Sequence, residues 1–272
     1  MVASRLSFLQ DKGGKTRVVA LVDLITQSLL KPIHDQVADI LRLMPTDGTF
    51  DQEIQRKRVQ SWSSKGIYLS SIDLTACTDR FPAFMQMLVL VYTGFFRWSQ
   101  GLAWLSLIKE RYFFLDRKSL KAVYYSVGQP MGAYSSWPVM ALAHHALVQL
   151  AFHRSESGKD KTASFFSEYS LLGDDIVIAD PKVAKEYKDL LLCLGIEWSP
   201  SKSFEGYGVA EFAKSLFSFG EDLTPFPLAL FHLKRNTIVS DTLAVLDELA
   251  KRQFVLSDIS ALTSLYKWGG AR

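Results

Sequence analysis

Cysteine is scarce in this 272-residue sequence, with Cys77 and Cys193 its only two. Two thiols build no disulfide framework, so folding does not depend on an oxidising compartment and no disulfide partner is expected. Proline (9) and glycine (16) are also sparse, which excludes a collagen-like fibre and a low-complexity linker. No charge sign dominates: 31 basic and 28 acidic residues leave a net +3. That total permits a nucleic-acid partner without arguing for one, because local clustering matters more. No continuous apolar run opens the chain, as a secretory signal requires. Residues 122–153 lack Asp, Glu, Lys and Arg and have the length of a bilayer span. Pro130, Pro138, His144, His145 and Gln149 would be costly or helix-breaking in hydrocarbon. The stretch reads as a loop leading into a buried helix, and residues 81–96 read as a second one. No membrane span is expected.

What is present suffices for a core, since 48% of the residues are hydrophobic. A helical pattern covers 18–44, with Pro32 expected to break or kink it. A turn at 45–48 and a polar, net basic stretch at 51–66 follow. Residues 67–73 read as a strand ending in an acid. Apolar helices are expected to 115, a strand at 121–127 and a helix at 133–152. Two β-prone runs, 169–172 and 176–179, flank Gly173-Asp174-Asp175 in the pattern of a hairpin. An amphipathic helix at 183–194 closes on Gly195, a strand-like run occupies 209–219, and 241–268 reads as helical. The order describes an α+β fold, a sheet layered with helices.

Asp73, Asp174 and Asp175 stand out because each ends a strand-like run. Adjacent aspartates on a straight strand point to opposite faces, whereas a hairpin tip can aim both at one point. Clustered carboxylates repel unless a cation neutralises them. All-oxygen ligands suit Mg²⁺ or Mn²⁺, and two such ions can activate an attacking hydroxyl and stabilise the leaving oxygen in phosphoryl transfer. A bare Gly-Asp-Asp arises by chance in about one chain in twenty of this length, so the surrounding motifs carry the weight.

Asp79 follows Asp73 by six residues across a loop of small and polar residues. It reads either as a carboxylate facing a bound sugar or as a helix N-cap paired with Arg80. Gly128-Gln129-Pro130-Met131-Gly132-Ala133-Tyr134-Ser135-Ser136-Trp137 is a glycine-framed loop opening a helix. Such a loop either contacts phosphate or ribose or simply caps the helix with a serine. Lys12-Gly13-Gly14-Lys15-Thr16-Arg17 lacks the spacing of a Walker A loop, which disfavours an ATPase. Its cations either clamp a triphosphate or stay solvated. His144, His145 and His153 lack acids or cysteines at ligand spacing, so a core or supporting role is favoured. Cys77 has no neighbouring base and is not read as a nucleophile.

Taken together and in order, these residues resemble viral RNA-dependent RNA polymerases, most closely those of mitoviruses and related narna- and levivirus-like replicases. Residues 12–20 are similar to motif F, 73–82 to motif A and 128–137 to motif B. Leu172-Gly173-Asp174-Asp175 is similar to motif C, 195–203 to motif D and Glu211-Phe212-Ala213-Lys214-Ser215 to motif E. The resemblance implies a right-hand polymerase palm, an antiparallel sheet with packed helices, carrying partial fingers and a partial thumb. Residues 1–66 would be partial fingers, 67–208 the palm with an inserted fingers segment at about 81–127, and 209–272 motif E and partial thumb. It implies that Asp73 and Asp174, assisted by Asp175, bind two Mg²⁺ or Mn²⁺ ions. Asp79 with Ser135 or Ser136 would sense the ribose 2′-hydroxyl, with Gly132 in the same nucleotide site. Lys12, Lys15 and Arg17 would hold the NTP triphosphate, Lys202 would protonate pyrophosphate, and Lys214 would touch the nascent RNA strand. Partners would be RNA template, nascent RNA and NTPs, and the location the mitochondrion.

Two departures qualify the match. Many such polymerases carry an asparagine one turn along the motif B helix, where Val139 or Met140 stands here. The chain is also shorter than the family's replicases, as expected for a truncated gene or a viral copy captured in a plant or fungal genome. Two other readings share these residues: a catalytically silent RNA-binding remnant, and a reverse transcriptase or maturase palm. Glycine before the Asp pair and Asp79 argue against the latter. A small phosphatase with an Asp-ended strand leaves the basic and Gly-Gln-Pro loops without a purpose.

Overall fold

A computed structural model describes residues 4–10, 16–115, 121–155, 157, 164–225 and 238–251. The chain divides into two compact units, 1–223 and 224–272. The first opens with a hairpin of β1 (Ser4–Gln10) and β2 (Thr16–Leu21), registered Arg5 to Leu21. Helix α1 (Leu24–Leu43) starts where the Asp23 carboxylate accepts the Thr26 N–H at 2.9 Å. The expected helix over 18–44 is therefore strand up to Leu21, because ladder bonds to β1 satisfy that backbone. Pro32 sits inside α1 without ending it. The polar stretch forms α2 (Gln52–Ser64), capped by Asp51.

The central strand, β3 (Tyr68–Asp73), leads into α3 (Cys77–Arg80), α4 (Ala83–Tyr92) and α5 (Trp98–Lys109). Two-residue strands β4 (Phe113–Phe114) and β5 (Ala122–Val123) extend the β1–β2 sheet, so the strand expected over 121–127 is only two residues long. Helix α6 (Ser136–Arg154) is buried on nearly all sides. This explains the uncharged run at 122–153: its apolar helix runs through a protein core. Among the described residues, no helix is long and apolar enough to cross a membrane.

The hairpin of β6 (Tyr169–Leu172) and β7 (Asp175–Ile178) matches the sequence pattern. Helix α7 (Pro181–Leu194) ends at Gly195, φ +68°, as expected. With β8 (Phe204–Tyr207) these strands form an antiparallel sheet ordered β6–β7–β3–β8. Alternation along the strands separates its two faces. Ile72, Ile176 and Ile178 pack with Leu147, Tyr187 and Leu191 of α6 and α7. Leu69 and Val177 pack with Val59 of α2 and with Phe212 and Phe217 on the far side. Those two phenylalanines belong to β9 (Val209–Phe212) and β10 (Ser215–Ser218), and β11 (Glu221–Asp222) pairs with β10. The single strand expected over 209–219 is thus a hairpin, turning where Ala213 and Lys214 adopt φ +50° and +63°.

In the second unit, α8 (Ile238–Lys251) begins three residues before the helix expected at 241, and the remainder of that expectation, 252–268, lies outside the described residues. The mixture of helices and antiparallel sheets is the α+β fold read from the sequence.

Candidate active site

A cleft of about 740 Å³ opens at the carboxyl end of β3. Asp73 is the last residue of that strand, and its backbone is fixed from several sides. Its N–H donates to Ser203 Oγ at 3.1 Å, and its carbonyl accepts the Ser199 N–H at 2.9 Å. The next residue, Leu74, donates its N–H to the Asp174 carbonyl at 3.0 Å. The loop carrying Lys202 and the turn carrying Asp174 are thereby tied to one strand end. Both Asp73 and Asp174 line the cleft.

Their electrostatics fit a cation. Burial raises the Asp174 carboxyl above its ordinary range, and the charge on Asp73 adds to the rise. Lys202 Nζ lies 2.9 Å from Asp73 Oδ2, and this bond raises the lysine's pKa. An ammonium thus already occupies one side of the carboxylate pair. Hard oxygen donors that repel one another and attract a cation suit a divalent ion completed by water or phosphate oxygens.

Asp175 does not join them. It is already the first residue of β7, paired across the ladder with Asp73, and it is not among the residues that line the cleft. Its carboxylate accepts the Ala213 N–H at 2.6 Å from the β9–β10 turn. Burial pushes its carboxyl up to about 7, with Asp174, Asp73 and Glu211 adding to the rise. The hairpin reading aims both aspartates at one point, and of the two the cleft lining includes Asp174 alone. Among the described residues, no three His, Cys, Asp or Glu side chains converge as a ready-made metal nest.

The loop at 128–137 is clipped to the segment that follows β3. Gly128 and Gln129 donate their N–H groups to the Asp79 and Thr78 carbonyls, each at 3.0 Å. A Cβ on Gly128 would stand 2.2 Å from Thr78 O, so only glycine permits this approach. Asp79 is on α3 and lines the cleft; burial raises its carboxyl, which accepts a hydrogen bond from the Tyr125 hydroxyl. Of the two expected serines, Ser136 lines the cleft and Ser135 does not. Ser135 is fully buried, its hydroxyl accepting Trp104 Nε1–H at 3.0 Å. Gly132 lines the cleft and its carbonyl accepts the Gln27 amide at 2.9 Å.

Arg17, on β2, also lines the cleft. Lys12 and Lys15 lie outside the described residues. Lys214 sits exposed in the β9–β10 turn and is not among the lining residues. Gln27 and His34 line the cleft from α1 without having been singled out in the sequence. A signal existed: they are polar residues seven apart in a helix, in the same stripe as buried Leu30, Val37 and Leu41. Both cysteines are free thiols, Cys77 buried and Cys193 exposed.

A buried four-stranded antiparallel sheet, paired carboxylates at one strand end and a cation-bearing cleft above them define a polymerase-type palm. Solved structures share this fold, among them viral polymerases and a telomerase. The BmCPV RNA-dependent RNA polymerase at quiescent state matches with TM-score 0.61 at 14% identity, over 89% of this chain and 25% of that one. The same enzyme at elongation state gives 0.57 at 12%, over 81% and 22%. An apo telomerase from Candida tropicalis gives 0.54 at 12%, over 82% and 55%. At these identities the likeness concerns fold alone. Sequence supplies the family: the model of the mitovirus RNA-dependent RNA polymerase matches residues 1–267, and the chain belongs to that family. The RNA-directed RNA polymerase of Cryphonectria parasitica mitovirus 1 is 38% identical over 216 residues, 79% of this chain. An Arabidopsis thaliana protein described as an uncharacterized mitochondrial protein is 37% identical over 198 residues, 68% of this chain and 74% of its own. The aligned region spans only 25% of the length of the mitovirus relative.

Proposed function

We propose that the chain is the core of an RNA-directed RNA polymerase, transferring NMP from NTP to an RNA 3′-hydroxyl by a two-metal mechanism. The observation that carries this is the meeting of Asp73 and Asp174 in one cleft with Arg17 and Lys202, in a chain of the mitovirus polymerase family. Asp73 and Asp174 would hold the divalent cations, Mg²⁺ or Mn²⁺. When bound, these supply Lewis-acid activation of the attacking hydroxyl and neutralise triphosphate charge. Arg17, with Lys12 and Lys15, grips the triphosphate. Lys202, protonated and displaceable from Asp73, donates a proton to departing pyrophosphate. Asp79 and Ser136 face the ribose, where the 2′-hydroxyl marks a ribonucleotide. Asp175 supports the β9–β10 turn through the Ala213 N–H and so presents Lys214 to the nascent strand. The fingers, palm and thumb are assigned to 1–66, 67–208 and 209–272, with the inserted fingers segment at about 81–127. A mitochondrial location is proposed from the plant and mitoviral relatives.

The test is incorporation of labelled NMP on an RNA primer–template with Mg²⁺ or Mn²⁺. Wild-type chain is expected to incorporate NMP in preference to dNMP, and Asp174→Asn to reduce incorporation at least 100-fold. RNA binding without incorporation would identify a silent remnant. Preference for dNTP would identify a reverse transcriptase.

A further inference from the structure

The turn that carries Asp174 is held from behind by a residue with no part in the proposed chemistry. His144 of α6 is fully buried. Its Nδ1 lies 2.8 Å from the Gly173 carbonyl oxygen and its Nε2 2.5 Å from the Tyr187 hydroxyl of α7. The His144 and Tyr187 rings are stacked at 17°. A carbonyl can only accept, so Nδ1 carries the hydrogen. Burial pushes the imidazole down to about 3, which leaves the ring neutral at ordinary pH. Nε2 is then a lone pair, and the Tyr187 hydroxyl donates to it. Every hydrogen in the series Tyr187, His144, Gly173 has one direction, and the partner on each ring nitrogen selects the tautomer.

The receiving end of this series is the turn itself. Gly173 has φ +62°, and a Cβ there would stand 2.1 Å from the Trp137 ring, so the indole presses directly on the turn. The following carbonyl, of Asp174, accepts the Leu74 N–H. Asp174 is therefore bracketed by two anchored carbonyls, one tied to α6 and one to the end of β3. A hairpin tip ordinarily leaves such a carbonyl to water. Here a buried imidazole takes it, although an apolar ring would fill the same space without two polar groups to satisfy.

We propose that His144 is a positioning residue of the cleft: its Nδ1–H fixes the Gly173 carbonyl, sets the direction of the Asp174 carboxylate relative to Asp73, and so determines the pair's affinity for a divalent cation. The proposal rests on the reading that Asp73 and Asp174 hold such a cation. It follows the general rule that losing a group which orients a metal ligand typically weakens metal binding by about 10–100-fold.

The experiment titrates the whole chain with Mn²⁺ alone, following free Mn²⁺ by electron paramagnetic resonance, with thermal unfolding of each variant. In His144→Asn the amide nitrogen replaces Nδ1 and still donates to Gly173. In His144→Gln the amide reaches toward Tyr187 instead and leaves the Gly173 carbonyl without its donor. Affinity within about 3-fold of wild type for His144→Asn, and at least 10-fold weaker for His144→Gln at a similar unfolding midpoint, is expected. Wild-type affinity in His144→Gln, or equal losses in both variants that track their unfolding midpoints, would overturn the proposal. Should neither variant fold, ¹⁵N-histidine spectra of the wild-type chain decide: the Nδ1–H tautomer supports it and the Nε2–H tautomer overturns it. Mn²⁺ binding unaltered by Asp174→Asn would instead sink the cation reading beneath it, a separate outcome.

Discussion

Replacing Asp175 by asparagine should stabilise the protein at alkaline pH, an unusual expectation for a residue in a Gly-Asp-Asp turn. Its carboxyl is pushed from an ordinary 3.8 to about 7, first by burial and then by Asp174, Asp73 and Glu211. A carboxyl whose folded pKa is raised holds its proton longer in the folded state than in the unfolded one. The stability of the protonated form is complete below about pH 4 and is lost as pH rises through 7. At about 1.4 kcal/mol per decade, the rise from 3.8 to about 7 gives a ceiling of about 4 kcal/mol above pH 7. Relaxation and water penetration bring the expected loss down to roughly 1–3 kcal/mol. Asparagine is isosteric, carries no charge, and its carbonyl can still accept the Ala213 N–H, at a cost of about 1 kcal/mol for exchanging a charged acceptor for a neutral one. Urea unfolding in EDTA should show Asp175→Asn matching or exceeding wild type at pH 8, with an advantage that grows by about 2 kcal/mol from pH 5 to pH 7. A difference independent of pH, or one that shrinks as pH rises, would refute the burial argument.

Three further outcomes follow from the same geometry. Gly173→Ala puts a Cβ into the Trp137 ring at a positive φ, and urea unfolding should show a loss of about 2–4 kcal/mol. Lys202→Ala removes a partly exposed ion pair, so stability should change by less than about 1 kcal/mol while NMP incorporation falls at least 10-fold. Iodoacetamide should alkylate exposed Cys193 in the native chain and spare Cys77, whose thiol burial pushes up; mass spectrometry should find one adduct native and two after denaturation.

The palm was legible wherever local chemistry and tertiary structure agree. The acid-ended strand β3, the β6–β7 hairpin and the Gly195 stop each carry their signal in consecutive residues. The short apolar run at 18–21 did not, because four such residues suit helix and strand equally until β1 supplies a partner. The β9–β10 turn was invisible for a different reason: Ala213 and Lys214 take positive φ with no glycine, asparagine or aspartate to announce it. Within the site, Asp73 and Asp174 were readable as a pair. The separate environment of Asp175 depends on the β9–β10 turn, whose Ala213 N–H it accepts, and that turn carries no signal in the sequence around Gly173. Ser135 and Ser136 are indistinguishable in sequence, and only the Trp104 indole removes the first from the cleft. The part played by His144 emerges only when α6, α7 and the hairpin tip are seen together.

Under the proposed function Asp73 and Asp174, which line the cleft, seat the divalent cation, and Asp175 supports the β9–β10 turn. Iron-directed cleavage tests this assignment most directly: Fe²⁺ with ascorbate and peroxide cuts backbone near the seat of the ion it replaces. Cuts are expected near Asp73 and near Asp174, suppressed by excess Mg²⁺, lost in Asp174→Asn and retained in Asp175→Asn. Cuts that survive Asp174→Asn, or that vanish only with Asp175→Asn, would contradict the account.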